Sequence, residues 1–436
     1  MLPMTQHVNR PRVVVIGAGF AGLNAAKALA NVPVDVTVVD RKNHHTFQPL
    51  LYQVALAVLS PAEIASPVRT VLRRARNTEV LLGEVIGFDL QKRLVRLDGL
   101  DMPYDLPYDY LIVAAGATHA YFGHPEWEQF APGLKTLEDA TEIRRRILMA
   151  FETAERELYV HRTPPPLNFV VVGAGPTGVE LAGAISDIAG HHLTKEFRSI
   201  DPRQSRIILL EGGPRVLPSY PEDLSASAER QLKEMGVEVR ISAMVTNLEP
   251  GWVSVGKEKI PASVILWGAG VSASPLGKLL GVPIDKAGRV IVQPDLTVPG
   301  HPEVFITGDL ASAKRHNGQP VPGVAPAAIQ MGKFAARQIK RAVEGKPREI
   351  FEYLDKGSLA TIGRSRAVAD FGKFHISGYF AWLSWLFIHL LFLVGFRNRL
   401  FVMSEWAWAY LTYNHSARLI TEPASSPIKT PKVKAS

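Results

Sequence analysis

Two short glycine-rich segments carry the most legible chemistry in this 436-residue chain. Gly17-Ala-Gly19-Phe-Ala-Gly22 follows the β-branched run Arg12-Val-Val-Val-Ile16 and opens a helical pattern through Leu23, Ala26 and Leu29. In such a strand, turn and helix the first glycine permits the turn, the second lets a pyrophosphate approach the backbone, and the third lets helix pack on strand. The phosphates then sit at the positive end of the helix. The next strand, Asp35 to Val39, ends in Asp40, about twenty residues on, where a carboxylate accepts hydrogen bonds from ribose hydroxyls. The pattern returns at Asn168-Phe-Val-Val-Val172, Gly173-Ala-Gly175-Pro176-Thr177-Gly178 and a helix through Leu181, Ala184 and Ile185. Its acidic partner is Glu211, which closes the strand Arg206 to Leu210 after a polar segment from His191 to Gln204. Two such units imply two dinucleotides. A carboxylate at 211 favours NADH over NADPH, while nearby Arg215 is of the type that holds a 2′-phosphate.

These motifs need rigid elements, and the chain is long enough for two or three domains of about 150 residues. Apolar residues make up 47% and charged residues 21%, a globular balance. Cysteine is absent, which excludes a disulfide framework, a thiolate metal site and a cysteine nucleophile. The net charge of +8 suits nucleic acid or an anionic membrane surface, but no zinc-finger spacing or other nucleic-acid motif supports the former. Met1 to Arg12 lacks the apolar stretch of a secretory signal. No metal is expected, because His44, His45 and His389 lack ligand spacing.

With both fingerprints in place, the chain resembles the two-dinucleotide flavoprotein reductases, in which one fold binds FAD and an inserted second fold binds NAD(P)H. Leu111-Ile-Val-Ala-Ala115-Gly116-Ala117 and Leu266-Trp-Gly268-Ala269-Gly270 look like the crossover strands between the two domains. Val304-Phe-Ile-Thr307-Gly308-Asp309 looks like the second FAD motif, whose aspartate meets the ribityl and pyrophosphate region. The resemblance implies non-covalent FAD on Gly17, Gly19, Phe20, Ala21, Gly22, Asp40, Arg41, Gln48, Pro49, Ala115, Gly116, Gly308, Asp309 and Ala328. It implies NADH on Gly173, Gly175, Pro176, Thr177, Gly178, Glu180, Glu211, Gly268, Ala269 and Gly270.

Disulfide reductases and sulfide:quinone reductases of this superfamily pass electrons through cysteines, which this chain lacks. Within the superfamily it is most similar to the type II NADH:quinone oxidoreductases, single-subunit NADH dehydrogenases that do not pump protons. The stretch from His45 through Phe47-Gln48-Pro49-Leu50-Leu-Tyr52-Gln53 to Ala55 resembles that family's flavin-flanking loop. Gly323-Val-Ala325-Pro326-Ala-Ala328-Ile-Gln330 stands where its quinone motif, roughly A-Q-x-A-x-Q, is expected. Pro326 replaces the first glutamine and offers no hydrogen-bond donor, so a donor to a quinone must come from Gln330 or elsewhere. By itself Gln330 reads as a solvated or helix-capping residue, and Lys356 as a surface lysine. Glu180 suits the first turn of its helix through the dipole alone. The family resemblance gives Glu180, Gln330 and Lys356 roles beside nicotinamide, flavin and quinone.

Tyr379 to Phe396 is apolar on nearly every face, and at about 18 residues and 1.5 Å each it falls just short of a bilayer core. Asn398 to Tyr413 places Asn398, Glu405 and Thr412 on one face, with Leu400, Phe401, Trp406, Trp408 and Leu411 on the remainder. A buried core or dimer interface, a span and a docked surface helix all accommodate this pattern. In the resembled family the region is a monotopic membrane anchor, so docking on the cytoplasmic face of the cell membrane, a membrane quinone acceptor and a homodimer are what the resemblance implies. The expected class is α/β, with two Rossmann-like domains, the FAD domain split by the NADH domain, and a C-terminal amphipathic helical region. The expected segments are 1–118 and 285–345 for FAD, 119–284 for NADH, 346–420 for membrane association, and a disordered Pro-, Ser- and Lys-rich tail at 421–436. The rival readings are a reductase of a ferredoxin-like protein and a slow-turnover flavin-bound NADH sensor.

Overall fold

The computed structural model describes residues 10–99, 102–194, 196–394, 396–412 and 417–420. The expectations for residues 1–9, Tyr413 and the tail 421–436 lie outside the described residues. In chain order the elements used below are β1 (Arg12–Ile16), α1 (Phe20–Leu29), β2 (Asp35–Asp40), α2 (Leu51–Ala55), β3 (Thr78–Leu82), β4 (Tyr110–Val113), α3 (Leu137–His161), β5 (Asn168–Val172), α4 (Pro176–Asp187) and β6 (Arg206–Leu210). They continue with β7 (Val237–Arg240), β8 (Val264–Trp267), β9 (His301–Ile306), α5 (Ala325–Val343), β10 (Ser358–Gly363), β11 (Arg366–Asp370), α6 (Tyr379–Phe392) and α7 (Phe396–Thr412).

Contacts divide the chain into two units. The first takes in the chain up to Thr46, Ala65–Thr118 and Val271–Lys356; the second comprises Phe47–Ile64, His119–Gly270 and the chain from Gly357. In the first unit β9, β4, β1, β2 and β3 form a parallel sheet, edged by the antiparallel strand Thr297–Val298. Side chains alternate along β1. Val13 and Val15 pack with α1 and α5, while Val14 and Ile16 join Val95, Leu97, Val304 and Ile306 on the opposite face. A sheet covered on both faces needs such continuous apolar strands. α1 and α5 touch through small residues, and a Cβ on Gly332 of α5 would lie 2.1 Å from Ala21 O.

The second unit contains a four-stranded parallel sheet ordered β7, β6, β5, β8. Each sheet has the order of a dinucleotide-binding fold, with its first strand in the interior and the crevice at that strand's carboxyl end. The long helix α3 begins in a capping box: Asp139 N donates to Thr136 Oγ1 (3.1 Å) and Thr136 N donates to Asp139 Oδ2 (2.9 Å). Its buried Arg144 has no carboxylate hydrogen-bond partner among the described residues. Its Nε donates to Val54 O (2.8 Å), Nη2 to Leu59 O (2.8 Å) and Nη1 to Ala417 O (2.9 Å). That clamp explains why Phe47–Ile64, expected within the first FAD segment, packs in the second unit.

β10, β11 and His375–Ser377 form a small antiparallel sheet on which α6 lies, with Ala367, Ala369 and Ala381 allowing close approach. α6 stops at Phe392, earlier than the apolar stretch to Phe396. Arg399 supplies the cap, with Nε donating to Leu393 O (2.8 Å) and Nη2 to Leu391 O (2.7 Å). Its 14 residues span about 21 Å, and among the described residues no helix is long and apolar enough to cross a membrane. In α7 the polar residues Asn398 and Glu405 are partly buried, while Leu400, Phe401, Met403 and Trp408 are exposed. The helix therefore carries apolar residues outward as well as inward, where Val402 is fully buried.

Candidate active site

The two glycine loops are near copies. Gly17 and Gly173 both adopt φ +93°, a left-handed conformation that strains any side chain. A Cβ on Gly22 would fall 1.8 Å from Gly17 O, and one on Gly178 would fall 1.8 Å from Gly173 O. Each acid holds its own loop. Asp40 accepts from Ala18 N (2.6 Å) and Lys42 N (2.7 Å), and Glu211 accepts from Ala174 N (2.7 Å) and Gly213 N (2.7 Å). Among the described residues the middle glycines, Gly19 and Gly175, have nothing within 4 Å of a would-be Cβ, leaving open space at each helix N-terminus.

In the first unit Phe20, Ala21, Ala114 and Ala328 cluster beside Gly308, whose would-be Cβ lies 3.5 Å from Ala21 Cβ and 3.6 Å from Ala328 Cβ. The structure thus brings the first fingerprint together with Gly308 and Asp309. Among the described residues, Gly116, after Ala115, faces open space with φ +66°, and the hydroxyl of fully buried Thr307 has no hydrogen-bond partner. An open cradle with an orphaned buried hydroxyl fits FAD. Arg41 is exposed nearby in sequence; Gln48 and Pro49 belong to the second unit, where Gln48 Nε2 donates to Lys135 O at 3.4 Å.

In the second unit Ala269 crowds Gly173, and Gly268 packs on Gly178, so the return strand closes the loop from behind. A cavity of about 590 Å³ opens beside Gly173, Glu211, Gly213, Phe122, Met244 and Ala269. It fits the adenosine half of NADH. Arg215 is occupied: its Nη1 donates to Tyr220 O (2.7 Å) and its Nη2 to Pro218 O (2.8 Å). The cation that could have held a 2′-phosphate is committed to the 218–220 turn.

α4 carries the second fingerprint at one end and a different cavity along its length. This cavity, about 560 Å³, is walled by Glu180 and Asp187 of α4, Tyr52 of α2, Thr361, and the apolar faces of α6 and α7. Gly183 is the reason α4 lies so close to β10, since a Cβ there would sit 1.6 Å from Ile362 O. Glu180 is thereby held against Thr361, whose backbone N–H bonds its carboxyl. Burial outweighs that bond and pushes the Glu180 pKa up to about 8. Asp187, which accepts from Arg364 N at 2.9 Å, is likewise raised by burial. His389 is pushed down to about 4 by burial and stacks on Trp385 at 4.3 Å. After Asp187 the helix widens into a π-turn at Ile188–His192, a distortion frequent at functional sites.

The residues expected at the quinone motif belong to the first unit. Ala325 and Pro326 form the first turn of α5. Gln330 is committed at both ends of its amide, with Nε2 donating to Leu354 O (2.9 Å) and Oε1 accepting from Leu354 N (2.9 Å). Lys356 is exposed. Among the described residues no group of His, Asp or Glu could hold a metal ion.

Residues 11–332 match the family described as pyridine nucleotide-disulphide oxidoreductase, and residues 356–413 match the NDH2 C-terminal domain. A Mycobacterium tuberculosis protein named type II NADH:quinone oxidoreductase NdhA is 49% identical over 416 residues, covering 92% of this chain and 87% of its own length. The chain belongs to the type II NADH:quinone oxidoreductases. Type II NADH:quinone oxidoreductase Ndh of the same organism is 46% identical over 432 residues, covering 96% of this chain and 92% of its own. The structure of NDH2 from Plasmodium falciparum in complex with NADH shares the fold, with a TM-score of 0.84 at 18% identity over 95% of this chain and all of that one. As a type II NADH:quinone oxidoreductase without cysteine, the chain has no redox-active disulfide despite the wider family's description. Of the cavity residues, the sequence places Gln53 only in the flavin-flanking loop and Trp406 only in the amphipathic segment, and it points to neither Asp187 nor Trp385. For Asp187 a signal existed, because it stands seven residues after Glu180 and so on the same helix face.

Proposed function

We propose that the cavity beneath Glu180 is the electron-acceptor site of an NADH:quinone oxidoreductase. The enzyme oxidises NADH and reduces a quinone with FAD as carrier. FAD sits on the first fingerprint with Asp40 and Asp309, and NADH on the second with Glu211. Bound FAD supplies the hydride-accepting and electron-donating chemistry. The protein aligns the two substrates and keeps water from them. The observation that carries this reading is a single helix, α4, that opens on the nucleotide loop and lines an apolar cavity with Glu180. A carboxyl held neutral near pH 7 can orient the nicotinamide or exchange a proton with the acceptor as the quinone becomes quinol.

The walls of the cavity explain how a substrate insoluble in water arrives. α6 and α7 line it with one side and expose Phe380, Leu391 and Trp408 on the other. An apolar surface of this kind docks in the headgroup layer of a bilayer. Docking is peripheral, on the cytoplasmic face, without proton pumping, and a homodimer is the assembly the resemblance implies. Gln330 reaches a quinone only by releasing Leu354, and Lys356 stands as a flavin-side cation. The test is anaerobic stopped-flow absorbance of the detergent-solubilised holoenzyme, with NADH first and a short-chain quinone second. Rapid bleaching of the flavin and rapid recovery are expected. Bleaching that quinone fails to reverse would transfer the assignment to a protein acceptor or a sensor.

A further inference from the structure

The indole of Trp406 in α7 reaches across to α2 and settles the orientation of a phenol. Its Nε1 can only donate, and it lies 2.7 Å from Gln53 Oε1. The amide of Gln53 is therefore fixed with its nitrogen turned the other way, where Nε2 donates to Tyr52 Oη at 2.8 Å. Tyr52 Oη accepts at that point, so its one proton must point elsewhere. Tyr52 is 7% exposed and forms part of the cavity wall, where its hydroxyl shares a hydrogen bond with the hydroxyl of Thr361, which a ligand oxygen would have to replace, and the carboxyl of Glu180 stands near it. Burial together with the neighbouring Glu180 keeps the phenol protonated.

We propose that Tyr52 donates a hydrogen bond to a carbonyl oxygen of the quinone in this cavity, and that Gln53 and Trp406 are positioning residues that aim it. An otherwise apolar site needs a few fixed polar groups to orient a ligand, and a quinone ring offers only acceptors. The donor sought at Pro326 and Gln330 is thereby supplied by α2. As electron density builds on the quinone oxygen the bond strengthens, so it favours the reduced state of the ring over the oxidised one. The relay also ties the outward-facing helix α7 to the acceptor site through one indole.

The inference rests on the cavity being the acceptor site, and the experiment separates the two. Holoenzyme carrying Tyr52→Phe, Trp406→Phe or the cavity-filling Leu386→Trp is compared with wild type by stopped flow, reading flavin bleaching by NADH and recovery by a short-chain ubiquinone analogue at varied concentration. Quenching of tryptophan fluorescence by the same analogue gives its equilibrium affinity for wild type and Tyr52→Phe. Tyr52→Phe is expected to leave bleaching unchanged, to raise the half-saturating quinone concentration about three- to tenfold, the worth of one hydrogen bond, and to weaken the equilibrium affinity with it. Trp406→Phe, which keeps the phenol but frees the amide, is expected to shift it less, roughly two- to threefold. If Leu386→Trp impairs recovery while Tyr52→Phe changes neither affinity, the role of Tyr52 is overturned and the cavity assignment stands. If neither variant affects recovery, the cavity assignment falls and takes the proposal with it. Equal slowing of bleaching and recovery by Tyr52→Phe assigns the residue to the fold and overturns the proposal.

Discussion

Replacing Glu180 by glutamine removes the ionisable group from the cavity wall and keeps an oxygen for the Thr361 N–H. In the wild type, burial moves this carboxyl from 4.5 to about 8. Each unit is worth about 1.36 kcal/mol, so the folded enzyme prefers the neutral form by about 5 kcal/mol relative to a solvated glutamate. Tyr52, Asp187, His192 and Arg364 share the cavity with it. Two consequences follow with definite sign. The folded chain holds this proton more tightly than the unfolded chain, so wild-type stability declines as pH rises from about 4.5 to about 8 and this contribution then levels off. Where recovery of the flavin by quinone draws on the neutral carboxyl, its rate is flat up to pH 7 and falls roughly tenfold per unit above about 8. Glu180→Gln is slower throughout but lacks that alkaline limb, and its melting temperature gains on wild type across the same window. Stopped-flow rates and thermal unfolding of both proteins between pH 5 and 9 measure this. A wild-type break near pH 5, or an alkaline limb that persists in the glutamine variant, would refute the assignment of the proton to Glu180.

Gly183→Ala forces a methyl to within 1.6 Å of Ile362 O, and since neither backbone can yield cheaply we expect a loss of about 3 kcal/mol. Denaturant unfolding checks it, and an unchanged midpoint would show that α4 and β10 are not held together here. Glu211→Ala releases the N–H groups of Ala174 and Gly213 and should weaken NADH about ten- to a hundredfold, at about 1.5–3 kcal/mol for a charged hydrogen bond. It should not admit NADPH, because Arg215 stays bound to the carbonyls of Pro218 and Tyr220. Steady-state kinetics with both nucleotides decide, and a switch in preference would mean that Arg215 is free to move.

The geometry of the two glycine loops was legible because it is local. The spacing of Gly17, Gly19 and Gly22, and of their counterparts at 173, 175 and 178, encodes clashes between atoms a few residues apart. Asp40 and Glu211 close those same loops, so strand, turn and acid are read together. The acceptor cavity is assembled from residues near 52, 180, 361, 385 and 406, and no periodicity announces such a meeting. At Gln330 the spacing matches a quinone motif, and the structure adds that its amide bonds the backbone of Leu354. The early end of α6 depends on Arg399 reaching back to two carbonyls, and the inward turn of Asn398 and Glu405 depends on what α7 packs against. Neither is encoded in hydropathy alone.

The two C-terminal helices have one more consequence, and it concerns handling the protein. Phe387 faces outward while also lining the cavity, and Met403, Trp406 and Ala407 wall the cavity from α7. A chain trimmed before α6 would shed its stickiest surface and keep both nucleotide folds, so it should still react with NADH while its acceptor compartment stands open on one side. Solubility and acceptor selectivity are thus properties of the same few turns of helix, and improving one by truncation forfeits the other. Polar substitutions confined to Phe380 and Leu391, which are exposed but do not line the cavity, are the route that keeps them separable.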